Sequence, residues 1–442
     1  MAYFLFLLVN ATLFIRPAEI VPALLGWEIY FYVIITCLIV AAPDVLRYFT
    51  AQSLETQPIT LCVFGLLIAI LIPSLIAGDI DEAWRTGFHF AKIIVYYLLL
   101  VSLITTPARL KTLLISILIF SGTTTALAVL RYHDVIQLNT IQSLEDNAQG
   151  LYGSTIVVRR LQGTGIFQDP NDLCVLLAAL VPLSLYFVCT KGNLFLRIGC
   201  GVLLPLFGYA ILLTGSRGGF IALAGGLGGL TWMCYGWRKA ALIGAVGLPL
   251  LLIVFGGRQT ELSTSTGTAQ TRVELWREWL TIFRENAIYG KGMTLEKEEE
   301  ALKRRPGDER KEIAHNSYLQ GFADLGVLGG CLFLGAFMTA IWSLYRFNPR
   351  PGLIVGVEVK QIQPYLLAGV AAYCFGMASL SICYVIPTYL ILGLSVAFTQ
   401  MATRACLPAP TPLRFDFTLL GRFATAGICC IFSIYVFVRY FA

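Results

Sequence analysis

Charge is scarce in this chain. Only 13% of its 442 residues are Asp, Glu, Lys or Arg, against about 25% in an ordinary soluble domain. With an apolar content of 57% and a mean hydropathy of +0.75, that shortage excludes a water-soluble globular protein. The net charge of +6 is scattered over short junctions and forms no stripe, which excludes a nucleic-acid-binding surface. None of the twelve cysteines falls in either long polar loop, so no disulfide framework or metal-ligand spacing arises there. They read as small buried hydrophobes. No basic segment precedes the apolar stretch Tyr3–Ile15, which therefore reads as a first span and not a cleavable signal. There is no fixed-period repeat and no matched pair of interrupted helices in two halves, features that mark many secondary transporters. Histidine is nearly absent as well: His89, His133 and His315 are the only three.

What is present is a series of thirteen apolar runs, from Tyr3–Ile15 to Phe423–Val438. They predict an all-α polytopic membrane protein with about 12–13 transmembrane helices and a large helical extramembrane loop. The chain divides into spans 1–9 over residues 1–255, with a polar loop at 131–170. The large loop occupies 256–316, and the remaining spans occupy 317–442. The junctions alternate in character. Those holding Arg47, Arg109 and Lys111, Lys191 and Arg197, Arg238 and Lys239, Arg346, Arg350 and Lys360, and Arg404 and Arg414 are basic. The positive-inside rule puts these in the cytoplasm and every unusual polar segment on the outer side.

Three outward segments carry the chemistry. In the first, Arg159-Arg160 precedes Gly163 and Gly165, then Asp169-Pro170, which read as the N-cap and first residue of span six. The arginine pair serves either a substrate or phospholipid headgroups. In the second, Thr214-Gly215-Ser216-Arg217-Gly218-Gly219, Ser216 caps span eight and Arg217 opens it. A cation at a helix N-terminus is normally disfavoured unless an anion shares the site; the other reading is an arginine snorkelling to the interface. The glycines would let a bulky substrate approach. The third is the large loop, with eleven charges of each sign between Arg258 and Glu312. A helix over Thr271–Asn286 presents Val273, Trp276, Leu280 and Phe283 on one face, with Arg272 near its start. A second helix is expected from Thr294 to about Arg305. The loop ends at His315-Asn316-Ser317-Tyr318, where span ten begins. A histidine in that first turn would be held neutral, as a general base requires, or it simply caps the helix. Spans six, eight and ten all start on the outer face, which suits a pyrophosphate at the membrane surface with a lipid tail between helices. Arg85, His89 and Lys92 share one face of span four. They bind substrate or pair with Glu28 or Asp324.

In this order, Phe167-Gln168-Asp169-Pro170-Asn171, Thr214–Gly219, and His315–Leu319 followed by Asp324-Leu325-Gly326-Val327-Leu328-Gly329 resemble the bacterial O-antigen ligase and polymerase superfamily. The resemblance implies a GT-C-like, inverting glycosyltransferase of the Gram-negative inner membrane, with its large loop and active site in the periplasm. It implies no metal and no cofactor. The donor would be an undecaprenyl-pyrophosphate-linked glycan and the acceptor the outer sugar of lipid A-core. His315 would be the catalytic base. Arg217, Arg160, Arg159 and Arg272 would bind the pyrophosphate, with Lys92 and Arg85 as lesser contributors. The same resemblance admits a repeat-unit polymerase or an O-linked oligosaccharyltransferase. A transporter of an anionic or polyprenyl-linked solute is the alternative of a different class.

Overall fold

The computed structural model describes the whole chain except residues 25, 51–53, 138–143, 150–154, 165–166, 264–267, 294, 296–312, 349–353, 409 and 442. Each of the thirteen apolar runs corresponds to one long helix, the eleventh running a few residues past its helix end. These are α1 (Ala2–Ile15), α2 (Ile29–Leu46), α3 (Pro58–Ile76), α4 (Ile80–Leu103), α5 (Pro107–Tyr132), α6 (Pro170–Cys189), α7 (Leu194–Thr214), α8 (Arg217–Tyr235) and α9 (Trp237–Ser263). After the loop helix α10 (Thr268–Glu285) come α11 (Ser317–Tyr345), α12 (Val357–Met377), α13 (Ile386–Arg404) and α14 (Phe417–Phe441). Ten of these helices are long and apolar enough to cross a membrane. α8, α9 and α12 fall outside that ten, but α8 and α12 pack inside the bundle. The fold is that of an all-α polytopic membrane protein. The polar loop before α6 adds something the apolar pattern did not show: an antiparallel hairpin of β1 (Leu144–Gln149) and β2 (Thr155–Arg160).

Helix starts follow local chemistry. Asp169 accepts from the Asn171 N–H at 2.6 Å and Ser216 from the Gly219 N–H at 3.1 Å, which satisfies the first amides of α6 and α8. α4, α6 and α13 form the buried centre, whereas α14 lies at the edge. Some polar side chains within the spans pair with one another, which lowers the cost of placing them in a medium without water. Tyr96 donates to Asn10 at 2.7 Å, and Tyr97 and Thr60 share a bond of 2.8 Å.

α11 is broken. Gly326 has φ +65° and ψ −169°, two turns into the helix. A broken helix in a bilayer leaves polar backbone that the protein must satisfy. Residues 287–292 do this. Val327 N–H donates to Ala287 at 2.8 Å, Lys291 N–H to Ala323 at 2.9 Å and Gly292 N–H to Asp324 at 2.9 Å. The approach is so close that a Cβ on Gly326 would lie 2.3 Å from the Ile288 carbonyl oxygen. The same break buries Asp324, which receives the Tyr384 hydroxyl at 3.2 Å and faces Lys291 at 3.6 Å.

α10 lies over the start of α11. Its most buried residues are Leu275 and Trp279, so the packed face is rotated from the expected Val273. Trp276 Nε1 donates to the Ala314 carbonyl at 3.0 Å, next to His315. Trp279 packs with Ala314, Leu319 and Ala323. The second loop helix, expected from Thr294 to Arg305, lies almost wholly outside the described residues.

Candidate functional site

The N-terminal ends of α6, α8 and α11 meet α10 at one end of the bundle. β2 runs beside them and explains a division within the arginine pair. Neighbouring residues on a strand point to opposite faces. Arg160 turns toward the helix starts: its Nε donates to the Thr214 carbonyl at 2.8 Å and its Nη2 to Asn171 Oδ1 at 2.9 Å. Arg159 turns the other way. It donates to the Tyr132 carbonyl at 2.8 Å and to both Asp134 oxygens at 2.8 and 3.1 Å, and lies over the Tyr132 ring. Only Arg160 of the pair therefore faces the cluster.

Arg217 is the exposed first residue of α8 and makes no hydrogen bond or ion pair to a described residue. The glycines beside it do not open a path for substrate. A Cβ on Gly218 would lie 1.9 Å from Ser379 Oγ, and one on Gly219 would lie 1.9 Å from Cys174 Sγ. They are small so that α8 can press against α6 and the segment after α12, as at other close helix contacts in membranes.

Arg272 comes from α10. Burial pushes its pKa down, and the nearby Arg217 and Arg160 guanidinium groups push it further, against a counteracting pull from Asp169. Three arginines from three separate segments thus crowd one place, with Asp169 as the opposing charge. His315 stands at the same place. Burial lowers its pKa first, Arg272 lowers it next, and Asp169 opposes. A base below the ordinary histidine value of about 6.5 is neutral at pH 7.

His315 is not in the first turn of α11. Asn316 is the N-cap, accepting from the Tyr318 and Leu319 amides at 3.1 Å each, and His315 precedes it in the left-handed region at φ +46°. Its lowered pKa therefore comes chiefly from burial and Arg272, not from a helical turn of its own. The helix start behind it is fixed. Ser317 Oγ donates to the Leu380 carbonyl at 2.6 Å and accepts from the Ile382 amide at 2.9 Å. The other two histidines are engaged elsewhere, His133 with the Tyr209 hydroxyl at 2.8 Å and His89 with the Tyr384 carbonyl at 3.4 Å. His315 makes no hydrogen bond to a described residue.

Arg85 and Lys92 do not join this cluster. Arg85 pairs with Glu82 at 2.8 Å and donates to the Leu295 carbonyl at 2.7 Å. Lys92 lies over Phe88 and lines a separate cavity of about 770 Å³ with Arg16, Glu28, Tyr30 and His89. Asp324 pairs with Lys291, not Lys92. Lys291 also lies 3.6 Å from the Trp279 ring centre, tying the loop to the break in α11. That contact was missed by sequence reasoning; a lysine flanked by Gly290 and Gly292 was the available signal. Asp79 and Asp81 form an Asp-x-Asp pair at the start of α4, where Asp79 caps the helix through the Glu82 amide at 2.9 Å. Among the described residues no group of three or more His, Cys, Asp or Glu side chains is placed to hold a metal ion.

The segment holding Arg217, Arg272, His315 and Gly326 also carries a family signature. Residues 200–334 match the O-antigen ligase family model. The match supports the O-antigen ligase superfamily for this chain. It spans α7 to the middle of α11, which is 135 of the 442 residues. Arg159, Arg160 and the capped start of α6 lie outside it. No curated protein sequence matches the chain.

Proposed function

We propose that this chain is an O-antigen ligase: it transfers polysaccharide from undecaprenyl pyrophosphate to the outer-core sugar of lipid A-core, at the periplasmic face of the inner membrane. The observation that carries this reading is the crowding of Arg160 and Arg217 around Arg272, which in turn stands beside a His315 held toward its neutral form at the helix starts. Like charges crowd together at a cost unless an anion arrives to share them. Guanidinium forks suit a pyrophosphate.

In this mechanism His315 takes the proton from an acceptor sugar hydroxyl. The oxygen attacks the anomeric carbon of the donor from the face opposite the leaving group, and the configuration inverts. The bond from that carbon to the pyrophosphate oxygen breaks. Arg217, Arg160 and Arg272 stabilise the charge that develops on the lipid pyrophosphate. Arg159 supports the site by holding β2 against the end of α5.

Purified protein reconstituted with undecaprenyl-pyrophosphate glycan and lipid A-core is expected to form the joined product, with or without a chelator. Polymer growth in the absence of lipid A-core would instead assign a polymerase. Substrate crossing the bilayer with no new glycosidic bond would assign a transporter.

The acid limb of the pH profile tests the environment of His315. Transfer should fall as pH drops through the lowered histidine pKa. Arg272→Gln removes a charge that lowers this pKa, so the limb should move to higher pH. Asp169→Asn keeps a capping side chain and removes the opposing charge, so the limb should move to lower pH. Measuring kcat/KM against pH for both variants decides it; a limb that stays put in both would separate the rate from His315.

A further inference from the structure

At the far end of α11 the bundle holds a second basic site. A cavity of about 680 Å³ opens between the C-terminal ends of α2, α4, α11 and α13 and the N-terminal ends of α3 and α5. Arg47, Arg109, Arg346 and Arg404 line it, with Asp44 as the one acid among its described lining residues. The arginines come from four different junctions. α11 runs from the His315 end of the bundle to this cavity, and the cavity gathers basic junctions that the positive-inside rule assigns to the cytoplasmic side. It therefore lies at the opposite headgroup level.

Helix ends account for part of this charge. Four C-termini carry about half a negative charge each and two N-termini about half a positive charge each. Set against four arginines and one aspartate, a positive charge of about two remains. Some of the arginine donors are committed, since Arg109 donates to the Leu103 carbonyl at 2.9 Å and Arg346 to the Thr411 carbonyl. Arg47 and Arg404 are exposed, the Arg47 side chain 79% so, with Asp44 at 3.5 Å. Deeper in, Gln400 Oε1 accepts from the Tyr48 hydroxyl at 3.2 Å, while the buried Gln400 Nε2 has no partner among the described residues. Ile59, Phe347, Val396 and Leu413 give the cavity an apolar wall.

We propose that this cavity binds the headgroup of an anionic phospholipid carrying two phosphates, in the leaflet opposite the transfer site. Two phosphodiesters match the remaining charge, the arginine forks and the buried amide supply donors, and the apolar wall receives the start of the acyl chains. Basic pockets between helices on the cytoplasmic side of membranes take lipids of this kind.

The test is native mass spectrometry of the full chain, delipidated in detergent and titrated separately with cardiolipin, phosphatidylglycerol and phosphatidylcholine. A parallel thermal melt uses inorganic phosphate alone. Cardiolipin should bind most tightly and phosphatidylcholine least, and inorganic phosphate should neither compete with cardiolipin nor raise the melting temperature. The double variant Arg47→Gln, Arg404→Gln should weaken cardiolipin binding about thirtyfold, each charge contributing about fivefold. Should the double variant not fold, Arg404→Gln alone should weaken it about fivefold. Arg47→Lys with Arg404→Lys keeps the charge and should retain most of the affinity. Equal binding by the wild-type and Gln proteins, equal binding of phosphatidylcholine, or full competition by inorganic phosphate would each overturn the proposal.

Discussion

His315→Asn is expected to lower glycan transfer about a thousandfold, in the middle of the 10²–10⁴ range a general base contributes. Asparagine is the informative replacement because His315 sits at φ +46°, a region asparagine enters more readily than alanine does. The start of α11 should survive, since Asn316 and Ser317 hold it through their own hydrogen bonds. What is lost is the basic ring nitrogen. In the proposed mechanism the donor is held by the arginines, so donor affinity should change little while the single-turnover rate collapses. Full transfer by the variant would remove His315 from the mechanism. A parallel loss of donor affinity would make it a binding residue instead.

Arg217→Ala should lower the rate by about 10²–10³, the range for removing one group that stabilises transition-state charge. Arg217→Lys should recover only a small part, because an ammonium is a point charge and cannot form the two parallel bonds of a guanidinium fork. The position favours a clean result. Arg217 makes no hydrogen bond or ion pair to a described residue, and the Ser216 cap that starts α8 is separate from it. Thermal stability should therefore be nearly unchanged. A lysine variant with wild-type rate would show that charge alone suffices. An alanine variant with wild-type rate and donor affinity would remove Arg217 from the site.

Much of this was legible in the chain because the relevant physics is local. Thirteen apolar runs became thirteen helices, since a helix satisfies its own backbone wherever water is absent. The caps at Asp169 and Ser216 followed from side chains that reach amides only two or three residues away. The arginines and His315 were visible as polar residues at helix starts. The division of Arg159 from Arg160 was less visible. The β-branched stretch Thr155-Ile156-Val157-Val158 was the signal for a strand, and strand alternation would have turned one arginine away.

The amino-acid sequence by itself determined the membrane class, the number of long helices, the grouping of basic junctions and the residues worth testing. Only the tertiary structure decided that Arg160 and not Arg159 turns toward the helix starts, that Arg85 and Lys92 lie apart, and that His315 precedes its helix. It also decided that α11 breaks at Gly326 against residues 287–292, and that Gly218 and Gly219 serve helix packing. Each of those depends on partners brought in from distant parts of the chain, and the direction a side chain takes is fixed by what packs against it.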